Sequence, residues 1–432
     1  MKNRSLNLFL FFLLATAFTA ASAFAAAPWT AANNIIRNTV TVKYQDAGSN
    51  QMPDIVRTVD ITVNLVPTTP TLSIATNLLV TPADQTINSA ATAGYSYALT
   101  SNANGPDTYN LSAVVTTELL KGAGSTATTS VANLDLGATS VAAGVTITAA
   151  GTTAITVPSD SANDGIVNGI AVGDTVVIDG KIFVVAAAGI VDNGGTPGTS
   201  TITVNGNGTD AAVTVGMTIG EMKTFTLTVD PGTLNFGTDP PTDQTIVATV
   251  TAQNVATSGT PAVAAAAATD ATTTTVTVAA LTVNKYVRNV TTPVVGGATL
   301  ALAGVTYYTT GVGGKPGEIL EYAIEIINTG SGEAKDVRIE DPIATFTTYV
   351  SGSMKVWTGN SDPSAATLTA VDDGLANGDA GEFDTTGNGT VYIYAGTGGT
   401  DLTAGVGGTG GTIAATDPDD TKAFGVFRVT ID

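Results

Sequence analysis

The chain contains no cysteine and no histidine. The first absence removes disulfides, thiol nucleophiles and thiolate metal sites. The second removes imidazole bases and imidazole ligands. Of the hydrolytic constellations, only Ser–Lys and paired-carboxylate arrangements remain open. Neither a Ser-x-x-Lys motif nor a G-x-S-x-G elbow occurs, so the expectation is a protein that is not an enzyme. Cations are also scarce: 16 Lys and Arg against 36 Asp and Glu give a net charge of −20. Binding nucleic acid requires neutralising phosphates, which makes it a poor partner. Without disulfides, stability must come from core burial and sheet hydrogen bonding.

Long apolar runs are missing as well, with one exception at the start. Lys2 and Arg4 precede an uncharged apolar stretch over 6–20, and small residues then alternate in Ala21-Ser-Ala23 and Ala23-Phe-Ala25. A basic start, a short apolar core and an A-x-A site read as a secretory signal peptide over residues 1–25. The stretch is short for a spanning helix, and no later segment could span. The expected location is extracellular or at the cell surface, with no membrane span after the signal is removed.

Helix-period patterns are nearly absent beyond the leader. Short runs of period two, separated by Gly, Asn, Asp and Pro, take their place. Val40, Val42 and Tyr44 fall on one strand face, and Val59, Ile61, Val63 and Leu65 on another. The same alternation recurs in Tyr95/Tyr97/Leu99, Phe225/Leu227/Val229, Tyr322/Ile324/Ile326 and Phe427/Val429/Ile431. One dry and one wet face per strand is the pattern of antiparallel sandwiches. Residues 262–268, an alanine run after Pro261, read as part of a loop.

The chain also repeats itself. A hairpin pattern occupies 37–45 and 56–63, and again 245–252 and 273–278. Each copy is followed by a longer body that opens with strand, Asn/Gly turn, strand. The first body carries an insertion over about 120–221, in which Asp179-Gly180 between apolar runs is a hairpin signal. The expected fold is therefore all-β: tandem immunoglobulin-like antiparallel β-sandwiches with a small inserted β domain. The segments would be a hairpin over 26–66, a first sandwich over 68–283 and a second over 284–432.

Residues 316–354 carry a denser signature. Lys315-Pro-Gly-Glu318 leads into Tyr322-Ala-Ile-Glu-Ile-Ile-Asn-Thr-Gly330, then Ala334-Lys-Asp-Val-Arg-Ile-Glu-Asp-Pro342, then Tyr349-Val-Ser-Gly-Ser353. This resembles the conserved repeat domain of bacterial and archaeal surface proteins known as domain of unknown function eleven. The likeness is weaker over 95–283 and 34–66. It implies immunoglobulin-like sandwiches in extracellular, adhesive or surface-layer proteins, without a catalytic site. In that family a hairpin of the type seen at 36–44 and 58–63 closes each domain. Here it stands before any body it could close, and the body over 284–432 has none after it.

Two readings follow. In one, the chain is a structural subunit of an extracellular filament or surface layer, a head-to-tail homopolymer. The hairpin at about 34–66 is donated to the next subunit's C-terminal sandwich through Val40, Val42, Tyr44, Val59, Ile61, Val63 and Leu65. In the other, the chain is a monomeric adhesin or surface-layer-associated binding protein that closes its own sandwich. Any cell-surface or glycan ligand is unspecified by the residues. The remaining candidate site is acidic: Asp372, Asp373, Asp379, Glu382 and Asp384 crowd a glycine-rich loop. Such a loop is either solvated or suited to Ca²⁺, although its spacing does not match an EF-hand.

Overall fold

The computed structural model describes residues 30–432 except 161, 196, 256–266, 360–361, 375–377, 387–388, 402–407 and 416–419. The signal peptide expected over 1–25 lies outside the described residues. The fold is all-β. Among the described residues the only helical element is one 3₁₀ turn, Pro363–Ala365.

Three bodies follow one another. First comes an antiparallel ribbon of β1 (Ile35–Val42) and β2 (Ile55–Thr62), which among the described residues pairs with no other strand. The middle sandwich begins with β3 (Thr71–Ser73), β4 (Gln85–Asn88), β5 (Ala93–Thr100), β6 (Asp107–Thr117) and β7 (Asn133–Leu136). After the insertion it resumes with β8 (Thr218–Asp230), β9 (Gln244–Asn254) and β10 (Ala267–Thr277). One of its sheets is built on β3-β5-β8, and the other has the order β4-β10-β9-β6-β7. Between them lies a core of Tyr95, Tyr97, Leu99, Tyr109, Leu111, Phe225, Leu227, Ile246 and Val250. These are the inward positions of the period-two runs, because alternate side chains of a pleated strand face opposite ways.

The structure moves two boundaries. Strand β10 starts at Ala267, so the last two alanines of the 262–268 run belong to a strand and not to a loop, while 262–266 lie outside the described residues. Strand Thr126–Thr129 pairs with β8 and β7 pairs with β6, so both belong to the sandwich. The insertion has its own core, which includes Ile147, Ile155, Phe183, Ile202 and Val204 and runs from Val141 to Ile219. Its Asp179-Gly180 turn joins Ile178 to Lys181 with both central residues at positive φ, 51° and 70°. That is the conformation a two-residue hairpin turn requires.

The C-terminal sandwich repeats the plan. Its first sheet holds β11 (Leu281–Asn289), β12 (Ile319–Asn328) and β16 (Lys422–Ile431) as neighbours. Its second holds β13 (Ala334–Pro342), β14 (Thr390–Tyr394) and β15 (Gly411–Ile413), with Gly381–Asp384 beyond β14. The stacked pair Tyr97–Phe225 of the middle sandwich, with ring centroids 5.4 Å apart, has a tilted counterpart in Tyr322–Phe427 at the same separation. This identifies β5 with β12 and β8 with β16; β6 and β13 then correspond as the strands that follow the turn.

Candidate subunit interface

The ribbon is amphipathic. Across β1 and β2, Ile36 lies opposite Ile61, Asn38 opposite Val59, Val40 opposite Arg57 and Val42 opposite Ile55. Directly opposed residues share a face, so Ile36, Val40, Val42, Ile55, Val59 and Ile61 lie on one mainly apolar face, with Asn38 and Arg57 set among them. Among the described residues nothing covers it: Val59 is 65% and Ile61 59% exposed. The opposite face carries the cross-strand polar contacts. Arg37 donates Nε and Nη2 to the two carboxylate oxygens of Asp60 at 2.8 and 2.7 Å, and Thr39 and Thr58 hydroxyls lie 3.1 Å apart. The hydrogen bond from Arg37 holds the Asp60 carboxyl below its ordinary range.

Of the residues read from the sequence, Val40, Val42, Val59 and Ile61 lie together on this face. Tyr44 is exposed just beyond β1. Val63 and Leu65 differ. They lie past the end of β2 and are half-buried at the ribbon's root, where Val63 exchanges main-chain hydrogen bonds with Asn33 and Asn34. Ile36 and Ile55 complete the face. Ile36 is in phase with Val40 and Val42, and Ile55 with Val59 and Ile61, but both sit at strand ends where the periodic signal fades.

The root is gathered on Asn104, in the turn between β5 and β6. Its Oδ1 accepts from Val66 N at 2.7 Å, and its Nδ2 donates to Thr30 O at 2.9 Å and Asn64 O at 3.3 Å. Its carbonyl accepts from Ala32 N at 2.7 Å. Both chain segments that bound the ribbon thus end on one side chain that is itself 2% exposed. Ala31 and Ala32 are buried beside it, and a Cβ on Gly105 would lie 2.5 Å from the Cβ of Ala32, which explains why glycine follows the clamp.

The C-terminal sandwich has a matching deficiency. In the middle sandwich, Tyr109 and Asn110 of β6 pair with β7 on one side and β9 on the other. In β13, residues 338–342 pair with β14 and residues 334 and 337 with β15. Among the described residues, no position of β13 has two partners. Among the described residues, no strands take the places of β9 and β10. In the middle sandwich those strands supply Ile246, Ala248, Val250 and Val276 to the core, and Asp270 of β10 accepts from the Tyr97 hydroxyl at 2.6 Å.

The first sheet of the C-terminal sandwich is bare where they would lie. Leu281, Val283, Lys285 and Val287 of β11 lie opposite Asn328, Ile326, Ile324 and Tyr322 of β12 and share their inward face. Ile324 and Ile326 are core residues, yet Leu281, Val283 and Lys285 are exposed. Lys285 fills part of the gap. Its Nζ lies 2.6 Å from Asp341 Oδ2 and 4.7 Å from the centre of the Tyr322 ring.

The acidic loop does not converge. Asp372 accepts from Gly374 N at 2.9 Å, Asp373 from Gly352 N at 2.8 Å, and Asp379 Oδ1 from Gly381 N at 2.9 Å. Glu382 accepts from the Tyr394 hydroxyl at 3.1 Å, and Asp384 from Thr386 N and Oγ1 at 2.8 and 2.7 Å. Asp372, Asp379 and Asp384 cap turns of their own loop, Asp373 and Glu382 reach other segments, and among the described residues no three acidic side chains gather as metal ligands.

Compared with known proteins, the chain matches no family model and no curated protein. The resemblance of 316–354 rests on its motif alone.

Proposed function

We propose that this chain is a structural subunit of an extracellular filament or surface layer, and that it polymerises head-to-tail by donating its N-terminal ribbon to the C-terminal sandwich of the next subunit. The observation that carries the reading is a pair of complementary deficits at opposite poles. The ribbon's root sits on Asn104, at the end of the middle sandwich where Tyr109 pairs with Asn254. The C-terminal sandwich joins the other end. There Val278 N and the Ser331 hydroxyl both donate to Asp243, and Gly332 N donates to Val278 O. From Tyr109 to Thr117, β6 alone covers roughly 26 Å at a strand's usual rise. A ribbon clamped at one pole and free of the sandwich surface is poorly placed to close its own C-terminal body. It is well placed to close a neighbour's.

The physical incentive is large on both sides. An isolated two-stranded ribbon is marginal in water, and an unpaired strand edge beside bare apolar side chains is a template for another strand. Covering six apolar side chains that are already half-exposed yields on the order of 10 kcal/mol gross. Because the ribbon is already paired and clamped, less of that gain is lost to ordering than for a free tail. A contact between two different surfaces does not close on itself, so its default product is an open filament. The leader over 1–25 supports export.

Deleting 34–66 tests the reading. The truncated chain should remain soluble and form no filaments by negative-stain microscopy, whereas the full chain should form them. Filaments that persist without 34–66 would overturn the reading.

A further inference from the structure

The two poles also determine how the ribbon enters. We propose that, given assembly by ribbon donation, β1 lies beside β13 and antiparallel to it. Strand β2 then lies outside β1, over the bare face of β11, and the ribbon's tip over 43–54 points toward the acceptor's own middle sandwich.

Chain direction sets the strand order. The turn over 329–333 faces the acceptor's own middle sandwich: Thr329 N donates to Ala280 O, and Gly332 N to Val278 O. Strand β13 starts at that pole and runs away from it to Pro342. The donor's bulk must arrive at the far pole, since the near one is occupied. The ribbon's root is fixed to that bulk through Asn104, so β1 leaves the far pole and runs toward the near one, against β13. Strand β2 runs back, parallel to β13. The sheet to be extended is antiparallel, and the middle sandwich shows the completed form: β9 pairs antiparallel with β6, and β10 lies outside it. Only β1 can take the place of β9. The apolar face then turns inward, bringing Val42 and Ile55 near the tip toward Leu281 and Val283, which lie at the near-pole end of β11. The wet faces of both elements stay outside: Thr39 and Thr41 on β1, and Arg338 and Glu340 on β13.

The absence of cysteine makes this directly readable, because every disulfide is an introduced one. Chains carrying Thr39→Cys or Thr41→Cys together with Arg338→Cys or Glu340→Cys are assembled, checked for filaments by microscopy, oxidised and run on a non-reducing gel. At least one of the four combinations should give a ladder of dimers, trimers and higher multiples. Val56→Cys or Thr58→Cys combined with the same β13 positions should give none. A ladder only from the β2 positions, or none from either strand in chains that form filaments, overturns the strand order while leaving ribbon donation standing. A single cross-linked monomer band of altered mobility shows closure within one chain. That result, like failure of the cysteine-free parent to polymerise, overturns both.

Discussion

Val283 of β11 and Ile326 of β12 are directly paired on one sheet face, yet Ile326 is 3% exposed and Val283 60%. Neighbours in register on one face should share a burial state unless the opposing layer stops between them. Here the second sheet covers β12 and ends before β11. Val283→Asp should therefore change the stability of the free subunit by no more than about 0.5 kcal/mol, as at other exposed sites, while abolishing polymerisation. Ile326→Asp should unfold the C-terminal sandwich, because it buries a charge without a partner. Denaturant melts of non-assembled protein, read beside sedimentation of assembled protein, would separate the two effects. Equal destabilisation by both changes would show that Val283 is covered within its own chain.

The two faces of the ribbon should respond differently to the same substitution. Val59→Asp and Ile61→Asp place a carboxylate on the apolar face, and Thr58→Asp places one on the wet face. The first two should raise the critical concentration for assembly by about 100-fold or more, since 1.4 kcal/mol is tenfold. The third should shift it by less than about tenfold. All three residues are exposed in the free chain, so its melting should be unaffected.

Asn104→Ala removes the three side-chain hydrogen bonds that hold the ribbon's root. Each is worth about 1 kcal/mol, and more where a buried partner is left unsatisfied. The expected signature is loss of orientation: amide exchange over 35–62 should accelerate and assembly should weaken, while the core strands β5 and β8 keep their protection. Uniform acceleration across the middle sandwich would make Asn104 a general stability residue instead.

Two buried glutamates should give opposite pH signatures. Burial pushes Glu321 up, but hydrogen bonds from Tyr307, Arg428 and Arg288 outweigh it, and its folded carboxyl lies below the ordinary 4.5. Its contribution is present above that value and is lost as the pH falls through the lowered one. Burial raises Glu221 above 4.5 despite its bonds with Gly137 N and Lys223. Its charged form is costly at neutral pH, and that cost vanishes as the pH falls through the raised value. Glu321→Gln should destabilise the C-terminal sandwich by about 3–5 kcal/mol at pH 7, by leaving Arg288 and Arg428 uncompensated. Glu221→Gln should be neutral or stabilising. Melting curves between pH 3 and pH 7 (about the window in which such carboxyls titrate) would show whether the two variants flatten the profile in opposite senses.

Phe346 is 78% exposed and sits at φ 66°, a left-handed conformation that costs a side-chain-bearing residue roughly 1–2 kcal/mol. Its carbonyl accepts from Asp432 N at 3.1 Å, which places it at the far pole of the C-terminal sandwich. Phe346→Gly should raise the stability of the free subunit by about 1 kcal/mol in thermal melts. A loss of stability would show that the ring packs against its own chain.

Much of this was legible in single segments. Strand identity follows from alternation, which is a local property of the pleat. It sorted Val40 with Val42 and Val59 with Ile61 within their strands, and it marked the Tyr97 and Tyr322 strands as copies. The Asp179-Gly180 turn was equally local, because only a few residue types tolerate two consecutive positive φ angles. The acidic loop shows the limit of such reading. Carboxylate density is a property of composition, but whether carboxylates converge depends on which backbone N–H each one meets, and here most meet their own turns.

What composition, alternation and turn chemistry determined is the strand inventory, the absence of thiol and imidazole chemistry, and the existence of a ribbon set apart from the bodies. What only the tertiary structure decided is which surfaces are left open. Thr116 of β6 meets Thr249 of β9 across 133 residues of sequence, and the ribbon's root meets Asn104 by a similarly non-local route. Exposure of a strand edge is set by the partner it lacks, and a missing partner leaves no mark on the strand's own residues. Val283 and Ile326 read alike as alternating apolar residues. They differ only because a second sheet, folded from distant segments, reaches one and stops short of the other.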